Sequence, residues 1–374
     1  MFHVTQQPAS CSLTNNEVYH IADDISYTSG GLRTVVENLN NYLNDSTSFE
    51  SSILTLKKEP KDSHPSFEPF RPGFWNYSRA FRKHLENDIA AEGILHLQGV
   101  WKYPQYIASK IARKRGNPTV LTSHGMLQPY LLKDKGFKKR VYLHLLLKGI
   151  LDTVDCVHAI TQSEQDNLAT LTKNKNIVQI PNLINVPAGQ CLNSYNPAEE
   201  YILYLGRFHK VKGLDLLVDA FGELQNKAIK LYLVGFKNEY SDVVFQLVKK
   251  RNLIDRVVFL GGSVDERKYK LFSDAKVFVA PSHSEVIGMV NLEAAMCHTP
   301  VITTFNTGIN PDWEKHGGLL IHPNRSELVS ALNQAVAWSV EERIDRGNQL
   351  SEFAVNNYSW QKRGYLWDEL YRSL

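Results

Sequence analysis

The sequence predicts an α/β protein made of two doubly wound domains, and three observations support this prediction. With 374 residues, the chain is long enough for two domains that each bury a core of their own. Short apolar stretches alternate with longer helical patterns along it, which is typical of parallel sheets. The alternation stops between Pro181 and Pro197, where proline, glycine and asparagine cluster and no periodicity remains.

The predicted strands are short apolar runs, half of them before this interruption and half after it. They are Val18–Ile21, Ser51–Thr55, Ile94–Leu97, Thr119–Thr122, Cys156–Ile160, Ile177–Ile180, Tyr201–Leu205, Lys230–Val234, Val257–Leu260, Val277–Ala280, Val301–Thr304 and Leu319–Ile321. The helical patterns include Gly31–Tyr42, Pro104–Arg115, Lys138–Leu151, Gly213–Leu224, Tyr240–Asn252 and Ser326–Ser339. An aromatic-rich amphipathic pattern at Tyr358–Leu374 predicts a final helix with no strand after it.

This element order predicts an N-terminal domain of residues 1–185 and a C-terminal domain of residues 186–357. Two such domains joined by a short linker would leave a cleft between the carboxyl edges of their sheets. Ligands of open α/β sheets bind at that edge, so the functional residues are expected in the loops that follow the strands.

Composition places the chain among ordinary globular proteins, with 43% apolar residues, 22% charged residues and a net charge of only +3. Its four cysteines, Cys11, Cys156, Cys191 and Cys297, lack metal-binding spacing and are expected to be reduced thiols in a cytoplasmic protein. The first residues do not form a signal-peptide pattern, and no apolar run is long enough to span a bilayer. A cytoplasmic location is therefore expected.

Two carboxylates, Glu285 and Glu293, lie eight positions apart between two predicted strands. Gly288 can open a helix between them, which would put Glu285 in a loop and Glu293 on the second helical turn. Eight helical residues span roughly 12 Å, about the length of a sugar nucleotide from hexose to ribose. The free N–H groups at the helix start would attract a diphosphate. On spacing alone, the alternative is a loop glutamate and an unrelated exposed helix glutamate.

A second motif follows the strand Tyr201–Leu205 and contains Gly206, Arg207, Lys212 and Gly213. Glycine lets the backbone turn sharply there, and both cations would point from the loop into the cleft. A guanidinium and an ammonium at that place would stabilise the negative charge that develops on a leaving diphosphate. The alternative is a solvated basic loop, although cations are mildly unfavourable at a helix start unless an anion binds there.

Two further candidate loops lie in the first half of the chain. Gly30 and Gly31 precede a helix and would let a phosphate or an acceptor approach the backbone, with an ordinary loop as the alternative. His124 ends a predicted strand and could hydrogen-bond a hydroxyl of the donor or the acceptor, with a turn-capping role as the alternative. His96 and Trp101 are weaker candidates for the acceptor side, since a core or turn role is equally consistent with their positions.

From Lys102 to Lys148 the chain carries eleven lysines and arginines against one acid, Asp134. Tyrosine, tryptophan, phenylalanine and leucine residues are mixed with them. This combination favours an anionic membrane surface, at ~1 kcal/mol for each Lys or Arg near it. A plain solvated face is the next alternative. Nucleic acid is disfavoured because no nucleic-acid motif accompanies the charge.

Taken together and in this order, these motifs resemble glycosyltransferase family 4. The resemblance includes the Glu285/Glu293 spacing, the Gly-Arg and Lys-Gly pairs at 206–207 and 212–213, His124 with Gly125, and the Gly30–Gly31 loop. Three shorter segments also fit it: Ile180 to Asn182, Leu233 to Gly235 and Thr307 to Ile309. The resemblance implies the GT-B architecture, in which two Rossmann-like domains face across a cleft and the final helix, Tyr358–Leu374 here, crosses back to the N-terminal domain.

The resemblance also implies roles for individual residues. Arg207 and Lys212 would bind the diphosphate of a UDP- or GDP-linked sugar, Glu293 the ribose hydroxyls and Glu285 the transferred hexose, with His124 lining the catalytic centre. The remaining residues implied to line the donor site are Gly30, Gly31, Gly206, Ile287, Gly288, Met289 and Val290. Transfer would retain the anomeric configuration and need no cofactor or metal ion. The acceptor would be a glycan, often lipid-linked, in bacterial surface polysaccharide synthesis.

Two positions depart from the family pattern. Val286 and Ile287 stand where glycine and phenylalanine are frequent, and His298 stands where glycine is frequent. Two alternatives stay open, and the departures support only the second of them. The first is another enzyme class on the same fold, a nucleotide-sugar epimerase or a phosphorylase. The second is an inactive partner that binds a nucleotide sugar for another transferase.

Overall fold

The computed structural model describes residues 16–70, 73, 75–129, 141–185, 191, 195, 197–262 and 267–374. These residues form two compact units. The first contains the chain up to residue 159, residues 167–178 and residues 368–374, and the second contains residues 160–166 and 179–367. The domain ranges 1–185 and 186–357 remain a prediction.

The first unit is built on a six-stranded sheet with the order β2-β1-β3-β4-β5-β6. Its strands are β1 (Glu17–Ile21), β2 (Glu50–Leu54), β3 (Ile94–Gln98), β4 (Thr119–Thr122), β5 (Cys156–Ala159) and β6 (Ile177–Gln179). Strands β1 to β5 pair in parallel, with Val18 opposite Ile94 and Leu95 opposite Thr119. All their carboxyl ends therefore lie at one edge of the sheet.

The helices of this half of the chain start and stop at recognisable residues. They are α1 (Gly31–Ser46), α2 (Arg79–Asn87), α3 (Tyr103–Arg115), α4 (Lys148–Leu151), which a π-helical turn at Leu143–Leu147 precedes, and α5 (Gln162–Leu171). The Ser78 hydroxyl accepts from the Phe81 N–H at the start of α2. Pro104 opens α3, and Gly116 closes it in the left-handed conformation.

The second unit is built on another six-stranded sheet, with the order β12-β11-β10-β7-β8-β9. Its strands are β7 (Tyr201–Leu205), β8 (Lys230–Val234), β9 (Val257–Leu260), β10 (Val277–Ala280), β11 (Val301–Thr304) and β12 (Leu319–Ile321). All of them pair in parallel. Leu203 and Phe278 are opposite each other and buried, as expected for strands covered on both faces.

Helices cover this sheet and continue to the end of the chain. They are α6 (Leu214–Gly222), α7 (Glu239–Lys250), α8 (Arg267–Asp274), α9 (Met289–Met296), α10 (Arg325–Ala337), α11 (Val340–Tyr358), α12 (Trp360–Arg363) and α13 (Tyr365–Arg372). Side-chain caps begin four of them: Asn238 accepts from the Ser241 N–H, Asn324 from the Glu327 N–H, Ser339 from the Glu342 N–H and Ser359 from the Lys362 N–H.

The two parallel sheets with their helices confirm the predicted α/β class and its doubly wound character. Each observed strand lies within one residue of its predicted bounds. The predicted final helix is interrupted, since α12 ends at Arg363 and α13 begins at Tyr365. Of the predicted helix Lys138–Leu151, the residues up to 140 lie outside the described part of the chain.

The expectation of reduced cysteines is wrong for one pair. The structure joins Cys191 to Cys297 in a disulfide across a sequence separation of 106 residues. Only the fold brings these residues together, because Cys297 directly follows α9 and Cys191 lies near the start of the second unit. Cys156 is a buried free thiol. Cys11 lies outside the described residues.

Candidate functional site

The loop that follows β7 carries the predicted cations. Its backbone is tied to the sheet at Gly206, whose N–H donates to the Val234 carbonyl at 2.9 Å. The Tyr204 hydroxyl donates to the Arg207 carbonyl at 2.9 Å and holds the next residue. A short 3₁₀ helix, Lys210–Lys212, then leads into α6.

Gly213 lets this loop approach the loop that follows β10. Its φ is +67°, and a Cβ there would lie 2.2 Å from the Pro281 carbonyl oxygen. Another backbone bond joins the two loops, because the His283 N–H donates to the Val211 carbonyl at 2.8 Å. Glycine is therefore required for both conformation and space, and the contact places Lys212 beside the loop that contains Glu285.

Lys212 and Glu285 form an ion pair with 2.8 Å between Nζ and Oε2. The two side chains are 20% and 13% exposed, so solvent screens this pair less than a surface pair. The Ser282 hydroxyl donates to the other oxygen of Glu285. The Glu285 N–H donates to the Asn306 carbonyl at 2.9 Å. Both oxygens of the carboxylate are thus oriented by neighbours from the same unit.

Glu293 lies on the second turn of α9, as predicted, and has a partner that the sequence analysis did not identify. The Lys268 ammonium on α8 is 3.2 Å from Glu293 Oε1, and the two side chains are only 17% and 16% exposed. Burial acts to lower the pKa of Lys268, but the charge of Glu293 and the neighbouring Tyr269 outweigh it, so the pKa is raised. Only the packing of α8 against α9 could identify Lys268, because 25 residues separate the pair.

The start of α9 lies between the two glutamates. Gly288 is its N-cap, and among the residues that the structure describes no side chain caps the first N–H groups. Ile287 is buried, whereas Met289 and Val290 are partly exposed. A Cβ at Gly288 would lie 2.5 Å from the side-chain nitrogen of Asn291, so a larger residue would displace that buried side chain. Uncapped N–H groups between carboxylates fit an anionic ligand that also carries hydroxyls.

The departures from the family pattern have local explanations. His298 has a φ of +55°, a conformation that glycine adopts without strain. Its ring Nδ1 bonds the Asn348 side chain at 2.9 Å, which helps to hold the residue in this conformation. Val286 is partly buried, and its carbonyl oxygen would lie 1.9 Å from a Cβ at Gly308. His298 thus adopts a backbone conformation that favours glycine, and the Val286 carbonyl leaves room only for glycine at position 308.

In the first unit, His124 lies two residues beyond the end of β4 and not at its last residue. It has a φ of +49°, and Gly125 follows with a φ of +71°. Its Nε2 donates to the Gln98 side-chain oxygen at 2.7 Å. Burial, with a smaller contribution from His158, lowers the pKa of His124 to about 3. His124 is therefore a neutral imidazole at pH 7.

The weaker acceptor-side candidates are mainly packed inside the first unit. His96 is fully buried and bonds the Tyr371 hydroxyl and the Thr122 hydroxyl, each at 2.7 Å. Trp101 is half-buried against the core, with its ring 5.7 Å from that of Tyr142. Their role toward an acceptor remains a prediction.

The glycine pair lies between a short 3₁₀ helix, Tyr27–Ser29, and α1. A Cβ at Gly30 or Gly31 would meet no atom of the described residues within 4 Å, so this loop leaves room for a ligand. Arg33 follows on α1 and pairs with Asp62 at 2.7 Å, while its guanidinium lies 4.8 Å from the centre of the exposed Tyr27 ring.

The basic segment is described only in part. Its members at 133, 135, 138, 139 and 140 lie outside the described residues. Lys110, Arg113 and Lys114 are exposed on α3. Arg115 instead donates to four backbone carbonyls between Leu85 and Ala90, so its guanidinium holds the end of α3 against the end of α2. Among the described helices, none combines the length and apolar character needed to cross a membrane.

Comparison with protein families agrees with these motifs. Residues 30–182 match the model described as "Glycosyl transferase 4-like domain", and residues 193–354 match the model described as "Glycosyl transferases group 1". Together the two matches span most of the chain. The chain belongs to the group 1 glycosyl transferases. The predicted family is thereby confirmed.

Several known proteins resemble the chain over different lengths. An uncharacterized glycosyltransferase of Methanocaldococcus jannaschii is 27% identical over 89% of this chain and 92% of its own length. O-antigen chain mannosyltransferase C of Escherichia coli is 35% identical over 40% of this chain and 39% of its own length. The Anabaena HepE structure in complex with UDP-glucose has a TM-score of 0.77 at 15% identity, over 96% of this chain and 100% of that chain. The structural likeness confirms the GT-B fold class.

Proposed function

We propose that this glycosyltransferase moves a hexose, with retention of configuration, from a nucleoside-diphosphate sugar to a glycan acceptor. The observation that carries the proposal is the ion pair between Lys212 and Glu285 beside the uncapped start of α9. A cation, a carboxylate and free helix N–H groups at one place match a ligand that joins a diphosphate to a sugar. HepE, a structural neighbour, binds UDP-glucose, which supports a donor of this class.

Each side chain has a proposed role in holding the donor. Arg207 and Lys212 bind the diphosphate and stabilise its growing negative charge as the glycosidic bond breaks. Glu285 accepts hydrogen bonds from hydroxyls of the transferred hexose, and Glu293 accepts them from the ribose. Because lysine and arginine neutralise the diphosphate, the proposed reaction needs no metal ion. The ion pair with Glu285 also holds Lys212 in place before the donor binds.

The proposed chemistry is attack by the acceptor on the same face from which the diphosphate departs. The acceptor oxygen forms a bond to the anomeric carbon while the bond from that carbon to the phosphate oxygen breaks. The acceptor proton passes to the departing phosphate oxygen, so the hexose keeps its configuration and a nucleoside diphosphate is released. Neither Glu285 nor Glu293 is needed as a covalent nucleophile, in contrast to retaining glycosidases.

We propose a lipid-linked glycan as the acceptor, in bacterial surface polysaccharide synthesis at the cytoplasmic face of the membrane. The O-antigen chain mannosyltransferase among the relatives supports this pathway class. Lys110, Arg113 and Lys114 are exposed on α3 and could contact anionic lipid headgroups. Vesicles that contain anionic lipid should bind the protein more tightly than neutral vesicles. The triple substitution of these residues by glutamine should reduce that difference.

The test of the function begins with thermal unfolding in the presence of UDP, GDP, ADP and their sugar conjugates. A ligand at about 100 times its Kd stabilises the folded state by about 2.7 kcal/mol. We expect one base family to raise the unfolding temperature in the wild type and in the matched control Lys210→Ala. This shift should disappear in Arg207→Ala.

Product analysis then separates the possible reactions. Incubation of the stabilising sugar nucleotide with glycan acceptors should give a glycoside with the anomeric configuration of the donor. An epimerised donor without acceptor, or a product that requires inorganic phosphate, would indicate one of the other enzyme classes. Donor binding without transfer or hydrolysis across a broad acceptor panel would indicate an inactive binding partner.

A further inference from the structure

A layer of polar side chains crosses one face of the first sheet, although buried parallel strands are normally apolar. Its members are His20 on β1, His96 and Gln98 on β3, Thr122 on β4, His124 after β4 and His158 on β5. The register pairs His20 with His96 and Thr122 with His158, so these side chains share a face. All of them except His124 are at most 2% exposed.

One row of hydrogen bonds in this layer joins neighbouring strands of the sheet to each other and to α13. The Thr122 hydroxyl lies 2.7 Å from His96 Nε2 and 2.8 Å from His158 Nδ1, which joins β3, β4 and β5. His96 Nδ1 bonds the hydroxyl of Tyr371 on α13 at 2.7 Å. None of these hydrogen bonds includes His124.

A second row ends at His124, and Gln98 is its centre. The Gln98 amide nitrogen donates to His20 Nδ1 at 3.1 Å, and its amide oxygen accepts from His124 Nε2 at 2.7 Å. With the amide in this orientation, its nitrogen donates and its oxygen accepts, which sets the proton position on both rings. His124 must carry its proton on Nε2, which leaves a lone pair on Nδ1.

His124 differs from the rest of the layer in its exposure. His124 is the one partly exposed member of the layer, and its Nδ1 has no hydrogen-bond partner among the described residues. The residue also keeps a φ of +49°, in the left-handed region that few residues other than glycine adopt. Backbone strain that is maintained by its surroundings is frequent at functional sites.

We propose that Gln98 is a positioning residue that holds His124 as a neutral imidazole protonated on Nε2, so that Nδ1 accepts a hydrogen bond from a substrate hydroxyl. This inference rests on the proposed function and on the family resemblance, which implies that His124 lines the catalytic centre. In the other neutral tautomer and in the cation, Nδ1 carries a proton. It could then not accept a hydrogen bond from the substrate hydroxyl. Burial of the ring lowers the pKa of His124, which also favours the neutral form.

Nitrogen-15 NMR of the histidine side chains tests the tautomer directly on the wild-type full-length protein at pH 7. We expect the His124 resonances of an Nε2-protonated neutral ring, with Nδ1 unprotonated. A Nδ1-protonated or cationic His124 would overturn the proposal. This measurement needs no activity and no variant, so it decides the tautomer even if the protein transfers no sugar.

Gln98→Met tests whether the amide sets the tautomer, because methionine keeps the length of glutamine but has no N–H donor or carbonyl acceptor. We expect His124 to become a mixture of tautomers and kcat to fall about five- to tenfold, the effect of one neutral hydrogen bond. Binding of the nucleoside diphosphate should be unchanged, which distinguishes this effect from a failure of the donor site.

Thr122→Val is the matched control, since it removes the other row of the same buried layer and keeps the shape of the side chain. It should lower stability without changing the tautomer of His124 or kcat. If Gln98→Met leaves both the His124 spectrum and kcat as in the wild type, the proposal is wrong. The same holds if Thr122→Val changes the His124 spectrum as much as Gln98→Met does, because the effect would then reflect general damage to the layer.

Discussion

In the second unit the polar side chains of the candidate site are charged and paired, whereas in the first unit they are neutral and linked through an amide. Lys212 lies 2.8 Å from Glu285, and Lys268 lies 3.2 Å from Glu293. His124 instead donates to the uncharged Gln98 side chain at 2.7 Å. The first arrangement can bind an anion and neutralise it, and the second can orient a hydroxyl without adding charge.

This difference follows from what surrounds each group. The two lysine–glutamate pairs keep some exposure, so their charges are hydrated until a ligand binds. The histidine layer has almost no exposure, and a charge there would lose its hydration without a counter-ion. The two regions should therefore respond differently to substitution and to pH.

The largest expected effect is on catalysis in the charged region. Glu285→Gln removes the negative charge that holds Lys212 and contacts the transferred hexose. We expect kcat to fall about 10²- to 10³-fold, as for the loss of one preorganised group that stabilises a transition state. Steady-state transfer kinetics measure this effect, with Glu314→Gln as a control because Glu314 is exposed elsewhere in the same unit. Transfer by Glu285→Gln at the wild-type rate would contradict the assignment.

A smaller effect is expected on stability, from the close contact that places the charged loop. Gly213→Ala puts a Cβ 2.2 Å from the Pro281 oxygen at a φ of +67°. Gly116→Ala has a similar φ of +81°, but no described atom lies within 4 Å of the new Cβ. Strain alone should cost Gly116→Ala about 1–2 kcal/mol. Gly213→Ala should lose about 1–3 kcal/mol more through overpacking.

Chemical denaturation of both glycine variants measures the free energy of unfolding. Because Gly116 belongs to the first unit and Gly213 to the second, fluorescence and circular dichroism should be followed together so that separate transitions are recognised. Equal losses in the two variants would mean that the Gly213 contact does not restrict the loop.

The smallest change, counted for each pH unit and each histidine, is expected from acidification of the neutral region. Burial lowers the pKa of His20 and of His124 to about 3 and that of His96 well below 6.5. Between pH 6.5 and about 3, the unfolded chain binds protons that the folded protein does not. The free energy of unfolding should therefore fall as the pH is lowered through this range, by up to about 1.4 kcal/mol per pH unit for each such histidine.

Denaturation curves at several pH values measure this slope. His20→Gln should make it shallower, whereas His144→Gln, which changes an exposed histidine of the same unit, should leave it unchanged. An identical slope in wild type and His20→Gln would show that His20 is not held neutral in the folded protein.

The strands and the charged motifs were predictable because their causes are local in sequence. Short apolar runs predicted each strand within one residue, and the spacing of Glu285 and Glu293 around Gly288 predicted a loop and a second helical turn. Helices such as α2 and α11 were not specified, because most of their residues are polar, and α2 buries only Phe81 and Leu85. The family followed from several modest motifs that occur in the right order.

The contacts that organise the site were not predictable because they join distant segments. Lys268 meets Glu293 through the packing of α8 against α9, and Cys191 meets Cys297 across 106 residues. His96 and His124 were identified from their strand ends, yet Gln98 was not, since its role depends on the alignment of β3 beside β1 and β4. Strand order is a property of the whole fold, and one sequence does not specify it directly.

The proposal that the charged region binds a diphosphate is tested most directly by isothermal titration. The ligands are the stabilising nucleoside diphosphate and the matching nucleoside without phosphates. The proteins are the wild type, Lys212→Met and, as the control, Lys210→Met, because Lys210 is an exposed neighbour in the same 3₁₀ helix.

We expect Lys212→Met to weaken diphosphate binding at least tenfold, or about 1.4 kcal/mol, and to leave nucleoside binding unchanged. Lys210→Met should bind both ligands as the wild type does. Equal affinity of Lys212→Met and wild type for the diphosphate would contradict the proposed donor site.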